Sequence, residues 1–205
     1  HEEMGHMRSE KTRTMVEIAM LSAIAVVLML FEFPLPFIAP PFYELDFSEV
    51  PVLIGAFALG PWAGVIIEAI KILLNLVING TITAFVGEIG NFIIGVAFVL
   101  PAALIYKHKK SKKTAMIGLA TGGIIMIVAS CFINVFILLP AYGKAFGMPV
   151  SAFVDMAAAI HSSINSMAGF ALLCVAPFNL LKVVLVSVIT MLLYKHISPI
   201  LKGRR

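Results

Sequence analysis

From Met15 onward the chain is a series of long, nearly uncharged apolar runs separated by short polar or proline-rich stretches. A helix needs about 20 apolar residues to cross the hydrocarbon core of a bilayer, so the pattern predicts roughly six spans. The first covers about Met15 to Phe33. Pro34, Pro36, Pro40 and Pro41 end it and impose an extended loop. That loop continues through Tyr43-Glu44-Leu45-Asp46-Phe47-Ser48-Glu49 and carries acids without a base. Residues 51–78 read either as one long helix or as two parted at Gly60-Pro61, a short span over about Phe47–Leu59 and another over Trp62–Ile78. Further spans cover about Glu88–Tyr106 and Thr114–Leu139. Residues 140–176 are more polar and predict an outer loop with a peripheral or re-entrant helix. The last span covers about Ala176–Tyr194.

Charge chooses between the two readings of 51–78. Lys107-His108-Lys109-Lys110-Ser111-Lys112-Lys113 separates two apolar runs, and loops rich in lysine and arginine stay cytoplasmic. One long helix places this turn outside; a break at Gly60-Pro61 places it inside. The broken reading also puts Arg8, Lys11 and Arg13 inside, with Lys195, Lys202, Arg204 and Arg205. Lys144 alone is then external, while Lys71 and Lys182 stay within spans. Both termini become cytoplasmic, the first loop external, and the pocket outward-facing. The cost is a second span too short to cross about 30 Å of hydrocarbon.

Composition narrows the class without altering this picture. With 60% hydrophobic and 13% charged among 205 residues, the chain is an all-α polytopic membrane protein and not a soluble domain. Residues 1–7 read as a remnant of an expression tag, leaving 8–205 as a single membrane domain. No cleavable signal peptide is evident. Cys131 and Cys174 lie in apolar stretches and read as small core residues. The positive charge sits at span ends, where topology explains it without nucleic acid.

The polar residues inside the spans gather toward the outer side. Glu68, Lys71, Asn75 and Asn79 follow three- and four-residue spacing and share one helical face, and Thr81 and Thr83 continue beyond it. Glu88 and Asn91 share a face at the start of the next span. Asn134 lies in the last turns of the fifth span, and Asn179 and Lys182 follow Pro177 at the outer end of the sixth. Ionisable groups in a bilayer face a cavity or a partner. Glu68 and Lys71, one turn apart, read as an internal ion pair; Asn75 is balanced between helix glue and site. Asn134, Asn179 and Lys182 favour a binding site. Asp155 and His161 read as loop residues, since no second histidine or cysteine has ligand spacing.

Leu45-Asp46-Phe47-Ser48-Glu49-Val50-Pro51-Val52-Leu53-Ile54-Gly55, followed by Gly60-Pro61, resembles the first-loop signature of the substrate-capture (S) components of energy-coupling-factor (ECF) vitamin transporters. Asn134-Val135-Phe136-Ile137-Leu138-Leu139-Pro140-Ala141-Tyr142 and Pro177-Phe178-Asn179-Leu180-Leu181-Lys182 resemble its riboflavin-specific branch, the RibU family. The resemblance covers almost the whole chain beyond its first residues. It implies six helices, cytoplasmic termini, and an outer substrate site covered by the first loop. It also implies docking to a membrane coupling (T) subunit and two ATPases through an Ala-x-x-x-Ala pattern on the first helix, matched here by Ala19 and Ala23 with Ser22 and Ala25 adjacent. Small residues four apart permit close helix approach.

On this reading the chain captures riboflavin for ATP-driven uptake and does no chemistry itself. It lacks the Gly-x-x-x-x-Gly-Lys-Ser/Thr phosphate loop, and riboflavin is its ligand, not a cofactor. Asn134, Asn179 and Lys182 are expected at the pyrimidine edge of the flavin ring, with Tyr43, Leu45 and Phe47 covering it. Asp46, Asn79, Thr81, Glu88 and Asn91 are expected near the ribityl hydroxyls, and Lys182 is expected to pair with Glu88 or Asp46. Three rivals remain: an S component for thiamine or pantothenate, an ion-coupled secondary transporter using Glu68 and Lys71, and, least favoured, a lipid-headgroup enzyme, for which no nucleophile–base pair or metal cluster is found.

Overall fold

The computed structural model of the chain describes residues 1–202, with side chains as far as His196. Arg204 and Arg205, counted among the inward charges, lie outside the described residues, as does the side chain of Lys202. In chain order the elements are α1 (Glu2–Leu30), strands β1 (Phe33–Pro34) and β2 (Glu44–Leu45), α2 (Glu49–Leu59), α3 (Pro61–Asn79), α4 (Val86–His108) and α5 (Lys112–Ile133). A π-helical turn (Asn134–Leu138) leads into α6 (Leu139–Phe146), then α7 (Val150–Ala158) and α8 (Met167–Phe170). A second π-helical turn (Ala171–Val175) leads into α9 (Ala176–Lys202).

Five continuous helical stretches are long and apolar enough to cross a membrane: α1, α3, α4, Lys112–Phe146 and Met167–His196. The sixth apolar helix, α2, spans about 16 Å at 1.5 Å per residue, well short of the core thickness. Gly60 parts it from α3 as the sequence predicts. Its φ of 110° is closed to side-chain-bearing residues without strain, and Pro61 starts the next helix where its missing N–H costs nothing.

Burial runs opposite to that of a soluble domain. Large aliphatic and aromatic side chains on α1, α3, α5 and α9 face outward, among them Val27, Val77, Phe132 and Leu180, while Glu68, Lys71, Asn134, Asn179 and Thr190 are buried. Such an arrangement suits lipid as solvent. Close backbone approach holds α4 to α5: a Cβ added at Gly118 or Gly122 would strike the carbonyl oxygens of Ala102 and Phe98 respectively. These two glycines, four apart, form a small-residue seam.

Two apolar clusters organise the interior. The larger joins α2 to α4, α5 and α9 through Leu53, Phe57, Phe98, Met126 and Val186. The smaller joins the first loop to the segment after α6 through Ala39, Leu45, Phe153, Ile164 and Phe170. The first loop is therefore not a free extended segment. Phe33 pairs with Leu45 and Pro34 with Glu44 in a short antiparallel ribbon. One further correction concerns 140–176: much of it is helical, because α6 prolongs the fifth span and the last long stretch begins at Met167, not at Ala176.

Candidate ligand-binding site

A cavity of about 470 Å³ opens among the end of α1, the first loop, α3, the start of α4, α5, α6 and α9. It is reached from the end of the bundle opposite the Lys107–Lys113 turn. Glu88 and Lys107 bracket α4, so cavity mouth and basic turn are about 28 Å apart along it. From there the cavity descends beside α3 to Glu68 and Lys71.

Four residues tie the first loop to the bundle. The Tyr43 hydroxyl donates to Asn134 Oδ1 at 2.6 Å. Asn134 Nδ2 donates to the Ser130 carbonyl at 2.8 Å and to Ser130 Oγ at 3.2 Å. Asn179 Nδ2 donates to the same Oγ at 2.9 Å and to the Val175 carbonyl at 2.9 Å. Ser130 thus joins α5 to α9 beneath the loop. Burial pushes the Tyr43 phenol well above its ordinary pKa, which keeps it a donor. Its ring lies 4.7 Å from Phe42, 5.7 Å from Phe178 and 6.0 Å from Phe170, centroid to centroid, within the range of favourable aromatic pairs. Asn134 itself begins a π-helical turn, a distortion that often marks functional positions.

The rim is built from a strained turn. Ala84 and Phe85 have φ of 53° and 72°, which costs a side-chain-bearing residue about 1–2 kcal/mol. Thr81 Oγ1 accepts from Phe85 N at 3.0 Å, and Thr83 Oγ1 accepts from Gly87 N at 2.8 Å, holding the turn and capping α4. The Thr81 hydroxyl in turn donates to Glu88 Oε2 at 3.0 Å. Glu88 is therefore held by threonines.

Of the predicted ligand residues, Tyr43, Asp46, Asn79, Glu88, Asn91, Asn134, Asn179 and Lys182 all line the cavity. Leu45, Phe47 and Thr81 do not. Leu45 is buried in the smaller apolar cluster, Phe47 packs 6.1 Å from Phe33, and Thr81 acts through the rim. Asn79 Nδ2 donates to Asn75 Oδ1 at 2.7 Å along one face of α3. Among the described residues no carboxylate lies within 4.0 Å of Lys182, which corrects its expected pairing with Glu88 or Asp46. Asp46 Oδ1 instead accepts from Ser48 N at 2.8 Å.

Sequence reading missed several lining residues. Ser130 was marked by its place one turn before Asn134. Tyr142 closes the segment that resembles the riboflavin-specific branch, whereas Glu32 carries no such signal. Partial burial at the mouth pushes Glu32 up to about 7, helped by a proton shared with Glu44 and by the charges of Glu44 and Asp46, against the pull of Lys182. The Glu68–Lys71 pair is present at 2.9 Å, but it is part of a trio. Lys71 Nζ also reaches Glu49 Oε1 at 2.6 Å and Ser48 Oγ at 3.1 Å. Glu49, a loop acid by its place in the sequence, is 3% exposed.

On α1, Ala19 and Ala23 are exposed, whereas Ser22 and Ala25 turn into the bundle. Among the described residues no group of three or more potential metal ligands forms.

A helical bundle for a lipid setting, with one deep polar cavity roofed by a pinned loop, defines a membrane-embedded binding protein for a small molecule. The family model for the substrate-specific component of ECF transporters matches residues 13–194, so the chain belongs to that family, whose members bind substrate and are not enzymes. It is 36% identical over 196 residues to the riboflavin transporter RibU of Staphylococcus aureus (strain TCH60), covering 96% of each chain. It is 33% identical to the riboflavin transporter FmnP of Bacillus subtilis (strain 168), covering 95% of this chain and 97% of the relative. Among solved structures, an S component of a bacterial ECF transporter superposes with a TM-score of 0.72 at 36% identity, covering 94% of this chain and 99% of that one.

Proposed function

We propose that this chain is the riboflavin-capturing S component of an ECF-type transporter in the bacterial cell membrane, with its cavity open to the outside. The observation that carries the reading is the position of the cavity. It lies about one bilayer thickness along α4 from the lysine-rich turn, and that turn favours the cytoplasm. With α2 counted as a short sixth span, both termini lie on the cytoplasmic side.

The cavity's volume falls within the range of small-molecule sites, about 300–1,000 Å³. A flavin ring needs apolar walls and a few donors and acceptors at its pyrimidine edge. Phe42, Tyr43, Met126 and Phe178 supply walls. The Asn179 carbonyl, which no described donor occupies, accepts the ring N–H, and the unpaired Lys182 ammonium donates to a ring carbonyl. Asp46, Asn79, Glu88 and Asn91 offer acceptors to the ribityl hydroxyls. Asn134 acts at one remove, holding Tyr43 as the roof. Leu45, Phe47 and Thr81 position the roof and rim.

Release requires a partner module, a membrane coupling subunit with two ATPases. Its docking face is the exposed Ala19–Ala23 strip of α1, where small side chains let another helix approach. The test of the ligand edge is Lys182→Ala, read by quenching of riboflavin fluorescence. Loss of one charge-assisted bond, about 1.5–3 kcal/mol, predicts affinity reduced about tenfold or more. An unchanged affinity removes Lys182 from the site.

A further inference from the structure

The Glu49–Lys71–Glu68 cluster is short of one positive charge. Two carboxylates share one ammonium, and all three side chains are at most 4% exposed. Lys71 Nζ donates to Glu49 Oε1 and Ser48 Oγ and lies 2.9 Å from Glu68 Oε1, so its three donors are all directed at the cluster. Oε2 of Glu68 and Oε2 of Glu49 are buried with no hydrogen-bond donor among the described residues. Glu68 lines the cavity floor, pressed against α4 at Gly95, where a Cβ would collide with its carboxylate.

The neighbouring elements do not make up the deficit. The first loop brings Asp46, another acid whose charge is felt at Lys71. α9 brings Lys182, felt at Glu49 from a distance but beyond ion-pair contact with it. At Gly95 α4 meets the trio with no side chain at all. An uncompensated carboxylate within a membrane helix costs several kcal/mol. The two carboxylates, each with one buried oxygen that has no donor, are positioned to take up a small cation.

We infer that this cluster is a binding site for one monovalent cation, a proton or a sodium ion, held between Glu68 and Glu49 at the cavity floor. The bound charge makes the trio neutral and lets Lys71 pin Glu49 and Ser48, the point where the first loop becomes α2, against α3. The site is independent of what occupies the cavity above it. It requires the charge to be resident, not carried across.

Infrared difference spectra of the purified full chain in H2O and D2O test the inference, together with thermal unfolding in sodium and in choline chloride. If the charge is a proton, wild-type protein shows a buried carboxylic-acid band that shifts in D2O. If it is sodium, the unfolding midpoint falls when choline replaces sodium. Glu68→Gln and Glu49→Gln each remove one acid and leave Lys71 balanced, so either change is expected to abolish the signal. Wild-type protein with neither signal, or a signal that survives either substitution in a folded variant, overturns the inference. The wild-type measurement decides even if a variant fails to fold.

Discussion

Ser130 shows how a small side chain organises the cavity. Its hydroxyl oxygen takes bonds from two amides on different helices, so Ser130→Ala leaves two buried N–H groups short of an acceptor. The expected loss is about 1–3 kcal/mol of stability, with weaker flavin binding because Asn134 no longer fixes Tyr43. Thermal unfolding and a flavin titration check both. Glu32 makes a pH prediction. The fold raises it from 4.5 to about 7, so the folded chain holds a proton that the unfolded chain releases. That contribution is fully present below about pH 4.5 and is lost as pH rises through about 7. The unfolding midpoint is expected to decline between pH 5 and 8, and Glu32→Gln to flatten the decline. At this scale the sequence was legible where spacing is helical: Asn75 with Asn79, and Asn134 with Asn179 at matching depth. It was not legible for Glu49, whose partner Lys71 sits on another helix, nor for Lys182, whose expected partner Glu88 is held by Thr81 and Thr83.

Among the elements, the turn before α4 holds stored strain. Phe85 is half exposed and sits at φ 72°, so Phe85→Gly is expected to raise stability by up to about 1 kcal/mol. Phe85→Val, β-branched in the same left-handed conformation, is expected to lower it. Unfolding in detergent compares them directly. The seam between α4 and α5 has no such tolerance: Gly122→Val drives a side chain into the Phe98 carbonyl, and misfolded, aggregated protein is the expected result. Helix existence was legible for the long apolar runs and at the Gly60-Pro61 break, which carry it locally, but not over much of 140–176. The two π-helical turns were not, because a one-residue widening of a helix leaves the apolar pattern intact. The residues from Met167 to Val175 misled for a related reason: their serine-rich approach reads as a loop, while the helix itself starts at the Ser166 cap.

The whole molecule separates two tasks between its two ends. At one end the first loop, α7 and the start of α9 close over the cavity through a shared apolar cluster; at the other, α4 and α5 meet in the lysine-rich turn. Ala19 and Ala23 lie outward on α1, away from the cavity. Ala19→Leu and Ala23→Leu are therefore expected to abolish flavin uptake by cells while leaving binding to the purified chain unchanged; normal transport by both variants would move the docking face elsewhere. Charge predicts a topology from the sequence because the positive clusters lie at span ends. The enclosure of the first loop was not legible, because it depends on contacts with residues more than a hundred positions later, as between Tyr43 and Phe170.

The central claim is that the cavity holds riboflavin. Its most direct measurement is titration of the ligand-free, purified full chain with riboflavin, followed by fluorescence quenching. The account predicts saturation at one flavin per chain, with thiamine and pantothenate unable to compete. Riboflavin fluorescence unchanged by the folded protein would contradict it.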